Sequence, residues 1–413
     1  MIEERRPTAL EILRIPEYRN FLTARIFYIM ALRMVTTIVG WRIYEITHNA
    51  LAIGIIGLSE FLPAFCLALY AGHVIDKSDK RAMLLTTTTC YLVCVAGLIT
   101  ISVGPVMHSL GVHWIQWLTY AIIFVTGVIR AFAGPTLNAI IAQIVSREKL
   151  PGAVTLNTSA FLLASVIGHT TAGFLIAYTT YLFSFCVVGA YVVIALCFLL
   201  TIAPKPIMAS GEKKTWESIK EGLRFVYRTR EVLGAMALDL FAVLFGGAVA
   251  MIPVYARDIL RVGPQEFGWL NAADDLGSIT MILSLTMWPL RRRQGLVLMY
   301  AVAGFGTCII LFGLSRWYLL SFIALMGSGL LDGISVVVRS TILQLKTPDA
   351  LRGRVSSVNS MFINSSNELG QFESGVMARL MGVVTSVVFG GCMTIAVVLV
   401  TWFRAPSLRK MEY

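Results

Sequence analysis

The sequence predicts an all-α membrane protein with twelve transmembrane helices in two pseudo-symmetric six-helix bundles. Three observations predict it. Of 413 residues, 57% are hydrophobic and 14% charged, against about 25% charged in soluble domains, and the mean hydropathy is +0.76. So few polar residues cannot cover a globule in water. The apolar stretches run about 20 residues, enough for a helix rising 1.5 Å per residue to cross hydrocarbon. They lack period-2 alternation, so of the two structures that satisfy backbone polarity in lipid, helices rather than a closed barrel are expected. Finally, one long polar interval separates two halves that resemble each other.

Spans are expected at 20–45, 51–74, 82–104, 114–136, 153–177 and 181–203, then at 232–257, 265–290, 295–314, 317–345, 355–380 and 382–403. The first follows a charged arm with Arg5, Arg6, Arg14 and Arg19. No apolar segment with a small-residue cleavage site precedes it, so no cleaved signal peptide is expected. Even-numbered loops carry Lys77, Lys80 and Arg81, then Arg147 and Lys149, the Lys205–Arg230 interval, Arg291 to Arg293, and Lys346, Arg352 and Arg354. The tail adds Arg404, Arg409 and Lys410, whereas odd-numbered loops hold only Arg257, Arg261, Arg316 and Arg379 near their ends. Basic loops stay in the cytoplasm, so both termini and the central loop are expected there. The net charge of +11 is thus a topology signal, and nucleic-acid binding is not expected.

Residues 204–230 divide the chain into an N-terminal bundle at 1–203 and a C-terminal bundle at 231–413. Within the divider, Trp216, Ile219, Leu223 and Val226 share one helical face opposite basic residues. That is the pattern of a helix in the membrane interface, with a simple tether as the plainer reading. Sliding the halves by 214 residues pairs Arg25 with Asp239, Trp41 with Tyr255, Gly54 with Gly268 and Glu60 with Asp274. Further on, an offset of 202 pairs Gly127 with Gly329, Arg130 with Asp332, Gly168 with Gly370 and Gly173 with Gly375. Agreement at mid-membrane ionisable positions supports a six-plus-six repeat.

Between spans 2 and 3 the stretch GHVIDKSDKR holds Gly72, Asp76, Lys80 and Arg81. It resembles the GxxxDRxGRR signature of the major facilitator superfamily, and span count, topology, central loop and repeat agree with that family over nearly the whole chain. Asp79 departs from the pattern, standing where a second Gly is usual. The resemblance implies that Gly72 permits close helix contact. It also implies that Asp76 faces the positive N-terminal end of span 11, and that Asp76 and Arg81 latch the cytoplasmic side shut. Within the superfamily the sequence looks most like the branch of the enterobactin exporter and macrolide-efflux-like proteins.

Charge placement inside the membrane carries the functional reading. Spans 3, 6, 9 and 12 have no ionisable residue in their interiors, whereas Arg25 and Arg33, Glu60, Arg130, His169, Asp239, Asp274 and Asp275, Asp332 and Arg339, and Glu368 and Glu373 lie in the others. A charge facing lipid costs at least about 2.5 kcal/mol, so these eight spans are expected to enclose a polar interior. Arg25 is expected to neutralise a carboxylate such as Asp239 or Asp332. Arg130, whose position resembles the family's span-4 arginine, is either a structural relay to the latch or a proton-coupling group. Desolvation makes a carboxylate hold its proton more tightly, which singles out mid-span Glu60, Asp274 and Glu368 for proton coupling. His169 either joins such a relay or is a hydrogen-bonded packing residue. Glu373 either lines the cavity or pairs with an arginine.

Other chemistries lack their motifs. GEKKT at Gly211 is not a phosphate-cradling loop, so an ion gradient is the expected energy source. The seven cysteines lie within apolar spans without CxxC or Cys/His clustering, so neither metal nor disulfide is expected. No nucleophile elbow or HExxH is present, so no enzyme and no cofactor are expected. The expected function is secondary active transport by alternating access in a bacterial inner membrane: proton-coupled export of a small amphipathic, siderophore- or drug-like molecule by a monomer. The alternative is a proton-coupled importer or facilitator of a small metabolite.

Overall fold

The computed structural model describes residues 9–206, 215–288, 293–348, 351–409 and 411–412. The side chains of Ala9, Leu10, Leu69, Asp76, residues 215–219, Ala248, Thr286, Ser357 and Asn364 lie outside that description. Several expectations fall there: the Asp76 side chain of the latch, the Arg5, Arg6, Arg291, Arg292 and Lys410 charges, the GEKKT stretch at Gly211, and the Trp216 and Ile219 part of the amphipathic face.

The helices run α1 Ala9–Leu13, α2 Pro16–Thr47, α3 Ala50–Asp76, α4 Lys80–Thr100, α5 Gly104–Ala139, α6 Ile141–Ile144, α7 Leu150–Tyr178 and α8 Tyr181–Leu200. They continue as α9 Thr215–Arg228, α10 Arg230–Phe245, α11 Ile252–Val254, α12 Pro264–Met287, α13 Gln294–Leu314, α14 Tyr318–Lys346, α15 Arg352–Met381, α16 Val383–Arg404 and α17 Pro406–Arg409. Among the described residues each expected span is largely helical, and ten helical segments are long and apolar enough to cross a membrane. The other two, α12 and α15, carry Asp274, Asp275, Glu368 and Glu373. Helices as polar as these enter a membrane only where neighbouring protein covers them.

Turn chemistry explains several boundaries. Proline stands at the start of α5, α7 and α12, where its missing N–H has no helical partner to lose. Thr180 accepts from Phe183 N at 3.2 Å and caps α8. Gly382, at φ +85°, joins α15 to α16 in a left-handed turn open to glycine.

Two spans depart from expectation. The fourth begins ten residues early, at Gly104 rather than 114, because a break at Gly111 (φ +74°) sets a short helix ahead of it. The seventh is not continuous: α10 stops at Phe245, a 3₁₀ turn follows at Gly247–Met251, and the chain resumes through α11 and a π-helical turn at Tyr255–Ile259. Packing causes the break. A Cβ at Gly247 would sit 2.6 Å from Gly370 O, and one at Gly390 would sit 2.1 Å from Phe245 O, so α15 and α16 press directly on this backbone. Thr394 Oγ1 donates to Ala242 O at 3.1 Å, taking up a carbonyl near the break.

By packing the chain divides into Met1–Ile38 with Leu62–Gly211, and Val39–Phe61 with Glu212–Tyr413. The α2–α3 hairpin therefore groups with the C-terminal half. The same device recurs in each unit. In the first, a Cβ at Gly168 would lie 2.9 Å from Met30 O; in the second, one at Gly370 would lie 3.0 Å from Leu244 O. These are the positions that offsets of 202 and 214 make equivalent, so small residues bring span 5 onto span 1 and span 11 onto span 7 alike.

Candidate functional site

The charged turn between α3 and α4 is a set of helix caps. Asp79 accepts from Arg81 N at 2.9 Å, capping α4, and from Lys205 N at 3.3 Å. This accounts for the departure from the family pattern, since a carboxylate at an N-cap satisfies donors that a glycine leaves open. Lys80 Nζ donates to Ile75 O and, at 3.1 Å, to Ser78 O, covering the carbonyl end of α3. Arg81 Nη2 donates to Leu200 O at 2.9 Å, at the end of α8. Both cations thus sit at the negative poles of helices. Among the described residues, a Cβ at Gly72 would meet nothing within 4 Å. The side chain of Asp76 lies outside the described ones.

The first unit holds the basic candidates. Arg25 Nη1 reaches Asn138 Oδ1 at 3.5 Å, a marginal bond, and its Nε is buried without a hydrogen-bond partner. Arg130, on α5, is half-buried. His169 is buried, with Nδ1 2.6 Å from Thr37 Oγ1. Thr37 Oγ1 also lies 2.9 Å from Arg33 O, so its one hydroxyl proton has two acceptors in reach. Beside it the Arg33 guanidinium lies 5.4 Å from the Phe161 ring. This is the geometry of the packing alternative for His169.

The acidic candidates of the membrane interior, Glu60, Asp239, Asp274, Asp275, Asp332, Glu368 and Glu373, fall in the second unit. Asp239 on α10 forms a buried ion pair with Arg339 on α14, with side chains 8% and 4% exposed. This corrects the expectation that Arg25 neutralises Asp239. A narrow pocket beside the pair is lined by Asp239, Asp332 and Ser335, with Ala242, Val302 and Phe305 as its apolar wall. Asp332, Ser335 and Arg339 follow one another at i, i+3 and i+7 and so share a face of α14. Among the described residues Asp332 has no hydrogen bond or ion pair, and Ser335 Oγ is buried without a partner. The pocket therefore contains one neutralised carboxylate, one carboxylate without a counter-charge, and a hydroxyl ready to donate.

Asp274 has a different environment. Its Oδ1 lies 3.1 Å from Ser328 Oγ, which also lies 2.6 Å from Leu325 O. One hydroxyl proton serves two acceptors here. A proton on Asp274 would satisfy both contacts at once. The helices meet backbone to backbone: a Cβ at Gly329 would fall 1.9 Å from Asp274 O and one at Gly277 2.0 Å from Met326 O. Asp275 and Glu60 are half-buried, and Glu368 is buried. A Cβ at Gly57 would stand 3.2 Å from Glu368 O, which places Glu60 one turn from the Glu368 backbone. Glu373 has a buried Oε1 without a hydrogen-bond partner.

Sequence reading counted Arg339 among the buried charges without giving it a role; the i, i+3, i+7 spacing with Asp332 and Ser335 was the available signal. It missed Thr37 and Ser328 altogether, because nothing in a serine or threonine marks which helix its hydroxyl will meet.

A family model described as Transmembrane secretion effector matches residues 8–413. Curated relatives include the enterobactin exporter EntS of Shigella boydii, 24% identical over 373 residues that cover 90% of this chain and 87% of the relative. The enterobactin exporter EntS of Escherichia coli O81 is likewise 24% identical, with 90% and 87% covered. Among solved structures, a D-xylose–proton symporter aligns with TM-score 0.76 at 13% identity over 97% of this chain and all of the other. The nucleoside transporter NupG aligns with TM-score 0.71 at 12% identity, covering 96% and 100%. At such identities the two structures speak for the fold alone.

Proposed function

The chain belongs to the transmembrane secretion effector family of major facilitator transporters, and from that premise we propose that it exports a small amphipathic, siderophore-like molecule in exchange for protons. Export and cargo class rest on the enterobactin exporters alignable over 90% of the chain. The observation that carries proton coupling is Asp332 without a counter-charge beside the closed Asp239–Arg339 pair, in a pocket the scale of a single water. A proton is the smallest species that neutralises such a carboxylate. Asp274, sharing the single proton of Ser328, is the second coupling group.

In this reading the bundles 1–203 and 231–413, joined by 204–230, rock about a midplane site, and proton and cargo shift the population between states by their differential affinity. Asp76 and its neighbours form the cytoplasmic contact that breaks. Glu60, Asp275, Glu368 and Glu373 border the cargo path, while Arg25 and Arg130 tune it. The protein acts as a monomeric carrier with no enzymatic step, in the inner membrane with both termini cytoplasmic. The test is flux of a catecholate siderophore from proteoliposomes with and without an imposed pH gradient. Acceleration of outward flux by inward protons, lost in Asp332→Asn, is expected; flux indifferent to the gradient removes proton coupling.

A further inference from the structure

The helix that bridges the two halves has a second face. One side of α9 is anchored: Val226 is 1% exposed and packs with Val232, Met236, Val355 and Val358. A Cβ at Gly222 would lie 3.1 Å from Arg354 O, and Glu221 pairs with Arg354 itself. Turning the helix at about 100° per residue sets Leu223, Tyr227, Arg224 and Arg228 along one continuous arc that runs from about 60° to about 200° away from Val226. All four are exposed, Leu223 by 47% and Tyr227 by 77%. Leu223 and Val226 lie three residues apart on the expected apolar face, Val226 buried and Leu223 exposed.

We propose that this arc docks on anionic phospholipid headgroups at the cytoplasmic surface. The occupant follows from charge and amphipathy together. Two guanidiniums make bidentate bonds to phosphate, and an aliphatic and a phenolic side chain beside them suit the depth just below the headgroups. The chain traverses a bilayer, so such a surface lies within reach of the loop that carries α9. A solvated cytoplasmic face would need no Leu and Tyr beside its arginines.

Native mass spectrometry of the full chain released from nanodiscs of equal phosphatidylcholine and phosphatidylglycerol tests this. Phosphatidylglycerol adducts are expected in excess. Arg224→Gln/Arg228→Gln should reduce that excess by about fivefold per arginine removed, the worth of a basic side chain at an anionic surface. Arg147→Gln/Arg404→Gln, which removes equal charge from exposed positions elsewhere, should leave it intact. A wild-type chain without lipid preference would overturn the assignment, as would an equal loss in both double variants, which would reduce the effect to net charge.

Discussion

Tyr44 donates a hydrogen bond to the carboxylate of Asp258 across 214 residues, the same offset that aligns the two halves of the sequence. The neighbouring contacts converge on one place. Arg257 lies 3.5 Å from Glu45 and 5.9 Å from the Trp41 ring, and Trp41 meets Phe267 at 4.9 Å. The end of α2 is thereby fastened to the π-helical turn that resumes span 7.

The hydrogen bond should outweigh the ion pair in this cluster. A bond to a charged acceptor is worth about 1.5–3 kcal/mol, whereas a pair as solvent-accessible as Glu45–Arg257 is worth about 0.2–1 kcal/mol. Tyr44→Phe is therefore expected to raise thiol labelling of Ala52→Cys, a buried position in the same hairpin, severalfold, and Glu45→Gln to change it little. The reverse order would show that the ion pair holds the hairpin.

Opening the buried pair should be costly from either side. Asp239→Asn leaves the Arg339 guanidinium without a counter-charge, at about 3–5 kcal/mol. Replacing both, as Asp239→Leu/Arg339→Met, should recover most of the melting temperature in detergent. Asp332→Asn, which has no partner to strand, is expected to melt like the parent while losing the pH dependence of transport. A low-melting Asp332→Asn would mean that the carboxylate is structural.

Glycine variants separate packing from hinge. Gly329→Ala drives a methyl to 1.9 Å from Asp274 O, backbone against backbone, and should abolish correct folding; Gly277→Ala should behave alike. Gly72→Ala meets open space and should insert and melt normally. Monodispersity in size-exclusion chromatography is the measurement, and a well-folded Gly329→Ala protein would refute the closeness of α12 and α14.

The α3–α4 turn should divide into caps and latch. Asp79→Ala loses an N-cap, about 0.5–2 kcal/mol, with a lower melting temperature. Asp76→Asn is expected to reduce transport while the protein stays folded and inserted. Unchanged flux in Asp76→Asn would remove the latch assignment and leave the fold untouched.

Much of this molecule was legible because transfer free energy is a property of each side chain. Ten spans follow from summed hydropathy, and the acidic character of spans 8 and 11 is read directly from Asp274, Asp275, Glu368 and Glu373. The repeat was legible too, and Gly168 with Gly370 shows why: the same backbone contact demands the same missing side chain in both halves.

Pairing was not legible. On the sequence alone Arg25 is the expected partner of Asp239, and only the approach of α14 to α10 gives it Arg339 instead. Likewise, the Gly246–Gly247 pair weakens the helix locally, but only the structure shows Gly370 and Gly390 pressing α15 and α16 onto that backbone where it breaks. The sequence by itself determined which segments enter lipid and which charges they bury, since solvation acts residue by residue. Tertiary structure decided which of those charges neutralise one another and which, like Asp332, stand without a counter-ion, since Coulombic and hydrogen-bond energies depend on distances that exist only once the helices have packed.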